Sequence, residues 1–267
     1  MVLEELYSAL YQRRVFSLDE AVEAAEKLTG RRSVRPYVSS KYLNGLVEDG
    51  KLERVRQGLY VVVPPGGGVV VDKLLLASKI RRNGFLGFHT ALEFYGCAYS
   101  AMREAYVCVA ARDRFRGFLY AGFSFRPVYV GDAGFEVVEG EYQGQPVRIE
   151  SRERLFIDCV SRPKYAGGWE ECLKSLEGLG GLDFDRLVGM LGGGYGGQTS
   201  VRRAGLVLEM LRGSSVFYGH LPEDVLDRVE GLVSRGYRYL VPGGGGRLVK
   251  RWRLIVPEGF SGLLRAV

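Results

Sequence analysis

Between Arg31 and Arg56 the chain gathers side chains of the kinds that bind nucleic acid. Arg31, Arg32, Arg35, Tyr37, Ser39, Ser40, Lys41 and Asn44 fall off the apolar stripe of one short segment, and Arg54 and Arg56 follow in the next. Arginine and asparagine present paired groups that match guanine and adenine edges, while serine, tyrosine and lysine suit phosphates. From 31 to 60 the cations Arg31, Arg32, Arg35, Lys41, Lys51, Arg54 and Arg56 outnumber Glu48, Asp49 and Glu53 by seven to three. The acids all follow Asn44, away from the arginine-rich start. Composition alone allows a plainer reading, in which these charges only solvate an exposed helix face.

The elements around them favour the nucleic-acid reading over the plainer one. Ser33 is expected to cap a helix whose first turn contains Pro36, a position where the missing N–H has no helical acceptor. Val38, Tyr42, Leu43, Leu46 and Val47 then repeat with a 3.6-residue period, and Gly50 ends the helix. Two β-like runs follow, Leu52–Val55 and Leu59–Val63, about a tight turn at Gln57–Gly58. Upstream, residues 2–13 have one apolar face, and Ser17 with Glu20 forms a capping box for a second helix that ends at Gly30. Helix, helix, polar-faced helix and hairpin predict a winged helix-turn-helix over residues 1–63, with Arg54 and Arg56 touching phosphates from the wing. Pro64–Gly68 reads as a linker, and 69–267 as a larger domain of mixed α/β (α+β) class.

In that larger part, helices are expected over Val71–Ile80, about His89–Tyr95, from Ser151 to Pro163, and over Trp169–Leu179, Phe184–Leu191, Ser200–Leu211 and Pro222–Arg235. Strands are expected at Ala105–Ala110, Phe123–Val130, Phe135–Val138, Tyr142–Ile149, Tyr237–Val241 and Trp252–Val256. Catalytic patterns do not assemble. The segment GGGYGGQTS at 192–200 has phosphate-loop spacing, but Gln198 stands where the lysine should be and a helix precedes it, so it reads as a connector. His89 reads as a structural histidine. Asp183 and Asp185 lie beside a helix start, where acids favour the dipole. With only His89 and His220 available and no nucleophile elbow, neither hydrolytic nor metal-assisted chemistry is indicated.

The bulk numbers are those of an ordinary soluble globular protein, and by themselves leave acidic proteins and membrane surfaces open as partners beside nucleic acid. The chain has 267 residues, a formal net charge of +6 and a pI near 9.1, which favour a polyanionic partner. Cys97, Cys108, Cys159 and Cys172 lack metal-site spacing and read as reduced thiols of a cytoplasmic protein. Neither a signal peptide nor a membrane span is recognisable, and no metal, cofactor or enzymatic role is expected.

Several segments together resemble the AbiEi-type antitoxins, also described as regulators of viral defence. They are GKLERVRQGLYVV at 50–62, HTALEFYG at 89–96, VRIESRERLFIDCVSRPKYAGGWEECLKSL at 147–176, RRAGLVLEML at 202–211 and WRLIV at 252–256. The resemblance covers nearly the whole chain through the order and spacing of its parts. It implies an N-terminal winged helix that binds inverted repeats at its own promoter. It also implies a C-terminal α/β domain that counteracts a nucleotidyltransferase-like toxin without being an enzyme. The DNA-contact role carries over to Arg31, Arg32, Arg35, Ser40 and Lys41; no motif assigns the antitoxin residues. The alternatives are a stand-alone transcription factor with a ligand-sensing C-terminal domain, and a nucleic-acid-processing enzyme.

Overall fold

A computed structural model describes residues 2–69 and 71–264. The chain divides into two compact units. The first gathers the residues up to Leu86 with Arg103–Ala133 and Glu139–Arg148; the second gathers Gly87–Met102, Gly134–Val138 and the residues from Ile149 on. The expected linker, Pro64–Gly68, therefore lies inside the first unit. Polar contacts span it: Lys79 Nζ lies 2.7 Å from Glu20 Oε1, and the Gln145 amide donates to the Arg13 carbonyl.

The first unit opens with α1 (Val2–Tyr11), β1 (Val15–Ser17) and α2 (Leu18–Thr29). The capping box starts α2: Ser17 Oγ accepts from the Glu20 N–H at 3.3 Å, and Glu20 Oε2 accepts from the Ser17 N–H at 2.8 Å. Gly30 ends it in the left-handed region at φ +64°. Next come α3 (Arg35–Val38), a π-helical turn (Ser39–Leu43) and α4 (Asn44–Glu48), one continuous helix in three parts. Ser33 does not cap it. Val34 holds that position, and the Ser33 N–H is drawn to Glu26 Oε1 at 2.8 Å, so Pro36 alone favours the start. In the π turn the Asn44 N–H donates to the Ser39 carbonyl, five residues back. The extra residue shifts the buried stripe to Val38, Leu43 and Leu46 and leaves Tyr42 only partly buried.

Strands β2 (Leu52–Arg56) and β3 (Leu59–Val62) form the hairpin, and β1 pairs antiparallel to β3, giving the order β1-β3-β2. Phe16 is a buried strand residue stacked on Tyr60 at 5.7 Å. Leu6, Leu10, Ala21, Ala25, Leu43, Leu46 and Leu52 close the core around this pair.

Helix α5 (Lys73–Lys79) follows, capped by Asp72, and then a six-stranded sheet. Its order is β6 (Phe118–Tyr120), β7 (Phe123–Tyr129), β5 (Glu104–Val109), β4 (Phe85–Leu86), β9 (Gln145–Glu150) and β8 (Val137–Tyr142). Strands β5 and β7 run parallel, while β4–β5 and β6–β7 are antiparallel. Strand β6 was not expected; Ala121 and Gly122, both at positive φ, make a two-residue turn that folds it onto β7. Strand β8 runs later than expected because the hairpin turns at Gln143–Gly144, again both at positive φ.

The second unit is largely helical: α6 (His89–Phe94), α7 (Arg152–Ser161), α8 (Trp169–Glu177), α9 (Phe184–Gly192), α10 (Gly197–Arg212) and α11 (Glu223–Gly231). A small sheet orders β10 (Arg238–Tyr239), β12 (Leu254–Val256) and β11 (Arg247–Val249), with β10 and β12 parallel. Two of these strands match expectation; β11 directly follows the four glycines at 243–246. Helix α10 buries Val201, Ala204, Leu208 and Leu211 as its spacing predicts. It also buries two arginines. Arg202 donates to the carbonyls of Gly236, Arg253 and Ser234 at 2.8–3.0 Å, and Arg203 to those of Ser161 and Leu240 at 2.7 Å. The Ser161 carbonyl lies at the end of α7 and the others in the segments that enter or leave the small sheet, where the Arg253 carbonyl also accepts the Arg238 N–H.

Trp252 is fully buried, with its indole N–H on Glu209 at 2.7 Å and its ring against Gly205 of α10. A Cβ at Gly205 would overlap that ring. Gly205→Ala is therefore expected to destabilise the second unit by about 1–3 kcal/mol, read as a lower urea midpoint, despite alanine's better helix propensity.

Glu150 is fully buried, its Oε2 accepting from the Phe88 N–H at 3.1 Å. Burial, first, and the nearby Asp158 carboxylate push its carboxyl well above the usual range. The folded chain thus holds a proton there that the unfolded chain has already lost. This contribution to stability is full below the ordinary carboxylate pKa and declines as pH rises from that value towards the raised one. Glu150→Gln, which mimics the protonated form, should flatten that decline in denaturation series across pH; an unchanged slope would show that Glu150 does not cause it.

Candidate nucleic-acid interface

The helix from Arg35 to Glu48 turns its apolar residues into the three-helix core and leaves its other side to solvent. Arg31, Arg32, Arg35, Tyr37, Ser40 and Lys41 are exposed, and Ser39 and Asn44 are half-buried. The structure thus brings the expected residues onto one helix and the residues just before it. Arg31, Arg32 and Lys41 carry no hydrogen bond or ion pair from their side chains among the described residues. Ser40 Oγ bonds back to the Pro36 carbonyl at 2.8 Å, and Tyr37 packs edge-on against Tyr42 at 5.7 Å.

Arg35 is held. Its guanidinium makes two parallel bonds to the Asp19 carboxylate on α2, the fork geometry that fixes an arginine in direction as well as charge. Asn44 is also engaged: its Oδ1 accepts from Arg54 Nη2 at 2.6 Å, so the helix and the hairpin are joined at their polar faces. A bidentate adenine contact uses the Asn44 oxygen as its acceptor, and the second lone pair of that oxygen stays open beside Arg54.

The two hairpin arginines differ. Arg54 is exposed, lying over the Tyr60 ring at 5.6 Å. Arg56 is half-buried, stacked on Phe118 at 4.8 Å and bonded to the Arg116 carbonyl at 3.2 Å. Desolvation, then the nearby charge of Arg81, lowers its pKa. Its guanidinium is spent on packing the hairpin against β6, a strand whose presence the sequence did not reveal. Of the two residues, Arg54 is the one placed to reach a phosphate. Sequence reasoning missed Asp19 altogether: an acid in the first turn of a helix has a sufficient local explanation in the helix dipole.

The other chemical candidates have structural partners. Asp183 caps α9 through the Arg186 N–H at 3.0 Å, and Asp185 pairs with Arg228 at 2.5 Å. Gln198 links to the Leu232 carbonyl and the Ser234 N–H. His89 is fully buried, with Nε2 3.1 Å from Glu171 and Nδ1 3.4 Å from Glu93. Among the described residues no group of three or more His, Cys, Asp or Glu is placed to hold a metal ion, and no helix is long and apolar enough to cross a membrane.

No family model and no curated protein matches the chain. Among solved structures it is similar to the crystal structure of the RV2827C protein from Mycobacterium tuberculosis, with a TM-score of 0.60 and 17% identity over 99% of this chain and 94% of that one. At that identity the likeness speaks for a shared mixed α/β fold and for nothing further.

The Arg35–Asp19 pair lies largely in solvent, with 64% of the Arg35 side chain exposed, and such pairs contribute little to stability. Arg35→Ala is expected to change unfolding free energy by less than about 1 kcal/mol in denaturant melts. Any larger change in ligand affinity then reports on contact rather than on folding.

Proposed function

We propose that the N-terminal helices and hairpin form a winged helix-turn-helix that binds double-stranded DNA, and that the protein is a transcriptional regulator of its own promoter. The observation that carries this reading is the exposed, unpaired set Arg31, Arg32 and Lys41 on and before a helix whose opposite face is sealed by Val38, Leu43 and Leu46. The antiparallel hairpin beside that helix, tied to it through Arg54 and Asn44, supports the same reading. In it, Arg31, Arg32, Lys41 and Arg54 neutralise phosphates, Tyr37, Ser39 and Ser40 position the backbone, and Arg35 and Asn44 read bases. Arg56 acts through the fold of the hairpin.

The antitoxin role, directed at a nucleotidyltransferase-like toxin, rests on the family resemblance. It is the proposed task of the second unit. Co-expression with the neighbouring gene tests it: growth arrest by that gene, relieved by the full chain and not by an empty vector, supports the role, and arrest that persists removes it.

The DNA reading is tested by fluorescence anisotropy on the protein's own upstream region against a scrambled duplex at two salt concentrations. Preference for its own region is expected. Lys41→Ala should weaken both duplexes alike and reduce the salt slope by about one phosphate contact. Arg35→Ala should cost about 1–3 kcal/mol on the specific duplex only. Equal affinity for both duplexes, with neither substitution having an effect, would remove this helix from the interface.

A further inference from the structure

Away from the helix–hairpin face, the first unit holds a cavity of ≈ 450 Å³ walled by α2, the end of α5 with the loop behind it, and strands β8 and β9. Its lining is strongly charged, and a tally of partners shows which charges are spent. Glu20 is matched by Arg13 at 3.1 Å and Lys79 at 2.7 Å, and Asp19 by Arg35. Arg81 donates to the carbonyls of Asp113 and Arg114 at 3.0 and 3.2 Å. Arg82 reaches Glu23 only at 3.7 Å, both side chains being open to solvent. Two charged lining groups have no hydrogen bond or ion pair among the described residues: Glu139, which is exposed, and Arg148, which is half-buried.

A half-buried guanidinium with all five donors unmatched, facing a concave wall, is suited to a bidentate oxyanion. Arg82 adds a second, weakly held cation. The volume falls within the range of small-molecule sites and exceeds that of a bare phosphate, while the charged lining calls for a polar body. We propose that this cavity binds a small organic oxyanion, a phosphate ester or a carboxylate, through Arg148 with support from Arg82. The exposed amide of Asn83 lies at its rim. The consequence for DNA rests on the reading above. Asp19, which holds Arg35, lines the same cavity, so a bound anion adds negative charge behind Arg35. That charge strengthens the grip of α2 on the guanidinium and lowers DNA affinity, an effect that added salt screens.

Calorimetric titration of the full chain with AMP, citrate and inorganic phosphate, with adenosine as the uncharged control, tests the site without DNA. Saturable binding of AMP or citrate is expected, with none of adenosine, and the better of the two tells a phosphate site from a carboxylate site. Arg148→Gln should weaken it by at least about tenfold, with partial recovery in Arg148→Lys. Should Arg148→Gln fail to fold, Asn83→Asp places a negative charge at the exposed rim and is expected to weaken the same binding. No saturable binding of any of the three anions at millimolar concentration, or binding that these substitutions leave unchanged, overturns the site. Anisotropy then reads the coupling: the bound anion should reduce DNA affinity in the wild-type chain and not in Asp19→Asn. Anion binding without an effect on DNA affinity overturns the coupling and keeps the site. Anion binding by a chain that binds no DNA keeps the site and removes the DNA reading instead.

Discussion

The Glu20 carboxylate receives four donors: the Ser17 N–H at 2.8 Å, the Ser17 hydroxyl at 3.1 Å, Arg13 Nη1 at 3.1 Å and Lys79 Nζ at 2.7 Å. The first two belong to the start of α2. The third fixes the turn after α1. The fourth comes from the end of α5, and the Lys79 side chain is only 7% exposed. Leaving a buried ammonium without its partner costs about 3–5 kcal/mol, more than most single contacts in a fold. One side chain thus starts a helix, orients a turn and neutralises a cation from the layer next to the sheet. The Lys79–Glu20 pair, with the Gln145–Arg13 and Arg56–Arg116 bonds, joins the N-terminal helices and hairpin to α5 and the sheet in one unit, although a proline- and glycine-rich stretch separates them in sequence. Three short helices and a hairpin make a small core, and small cores gain from such external anchoring.

Local rules were legible where both partners sit within a few residues. The capping box of Ser17 and Glu20, the Gly30 terminator, the Ser151 cap of α7 and the inward stripe of α10 follow from spacing alone, and each appears where its residues put it. Both cap and stripe are properties of one helical turn, so they need no knowledge of the rest of the chain. Elements with non-local causes were not legible. Strands β6 and β11 are only three residues long, too short for alternation to show, and they exist because a neighbouring strand accepts their hydrogen bonds. The π turn at Ser39–Leu43 is likewise invisible to a 3.6-residue period; its signature is that Leu43 is buried while Tyr42 is not fully so.

The candidate interface divides along the same line. That Arg31, Arg32, Tyr37, Ser40 and Lys41 would be exposed follows from their positions off the apolar stripe. That Arg56 would be stacked on Phe118, or Arg35 clasped by Asp19, depends on residues 62 and 16 positions away, and no local pattern announces it. Arginine is the residue type for which this matters most, because its flat guanidinium serves equally well as phosphate ligand, base reader, aromatic cover and carbonyl staple. This chain uses it in several of these ways: Arg202 and Arg203 as buried staples, Arg56 as a cover, and Arg31 and Arg32 as free charges. Counting arginines therefore overstates the basic surface, and partners, not composition, identify those available to DNA.

The geometry around Arg35 then constrains how such a surface could read sequence. An arginine that wandered freely would lose rotamer entropy on meeting a base. One already forked onto a carboxylate has lost part of it in advance. It must also either keep Asp19 as a buttress, offering its remaining N–H to guanine, or leave Asp19 and abandon a charge-assisted pair. Of its five N–H groups, Nε and one on Nη2 face Asp19, so Nη1 and the second hydrogen of Nη2 remain for a base edge. Keeping the buttress costs nothing in the unbound state. It makes Asp19, which touches no base, a determinant of where the guanidinium points, and it ties base recognition to whatever charge stands on the other side of α2.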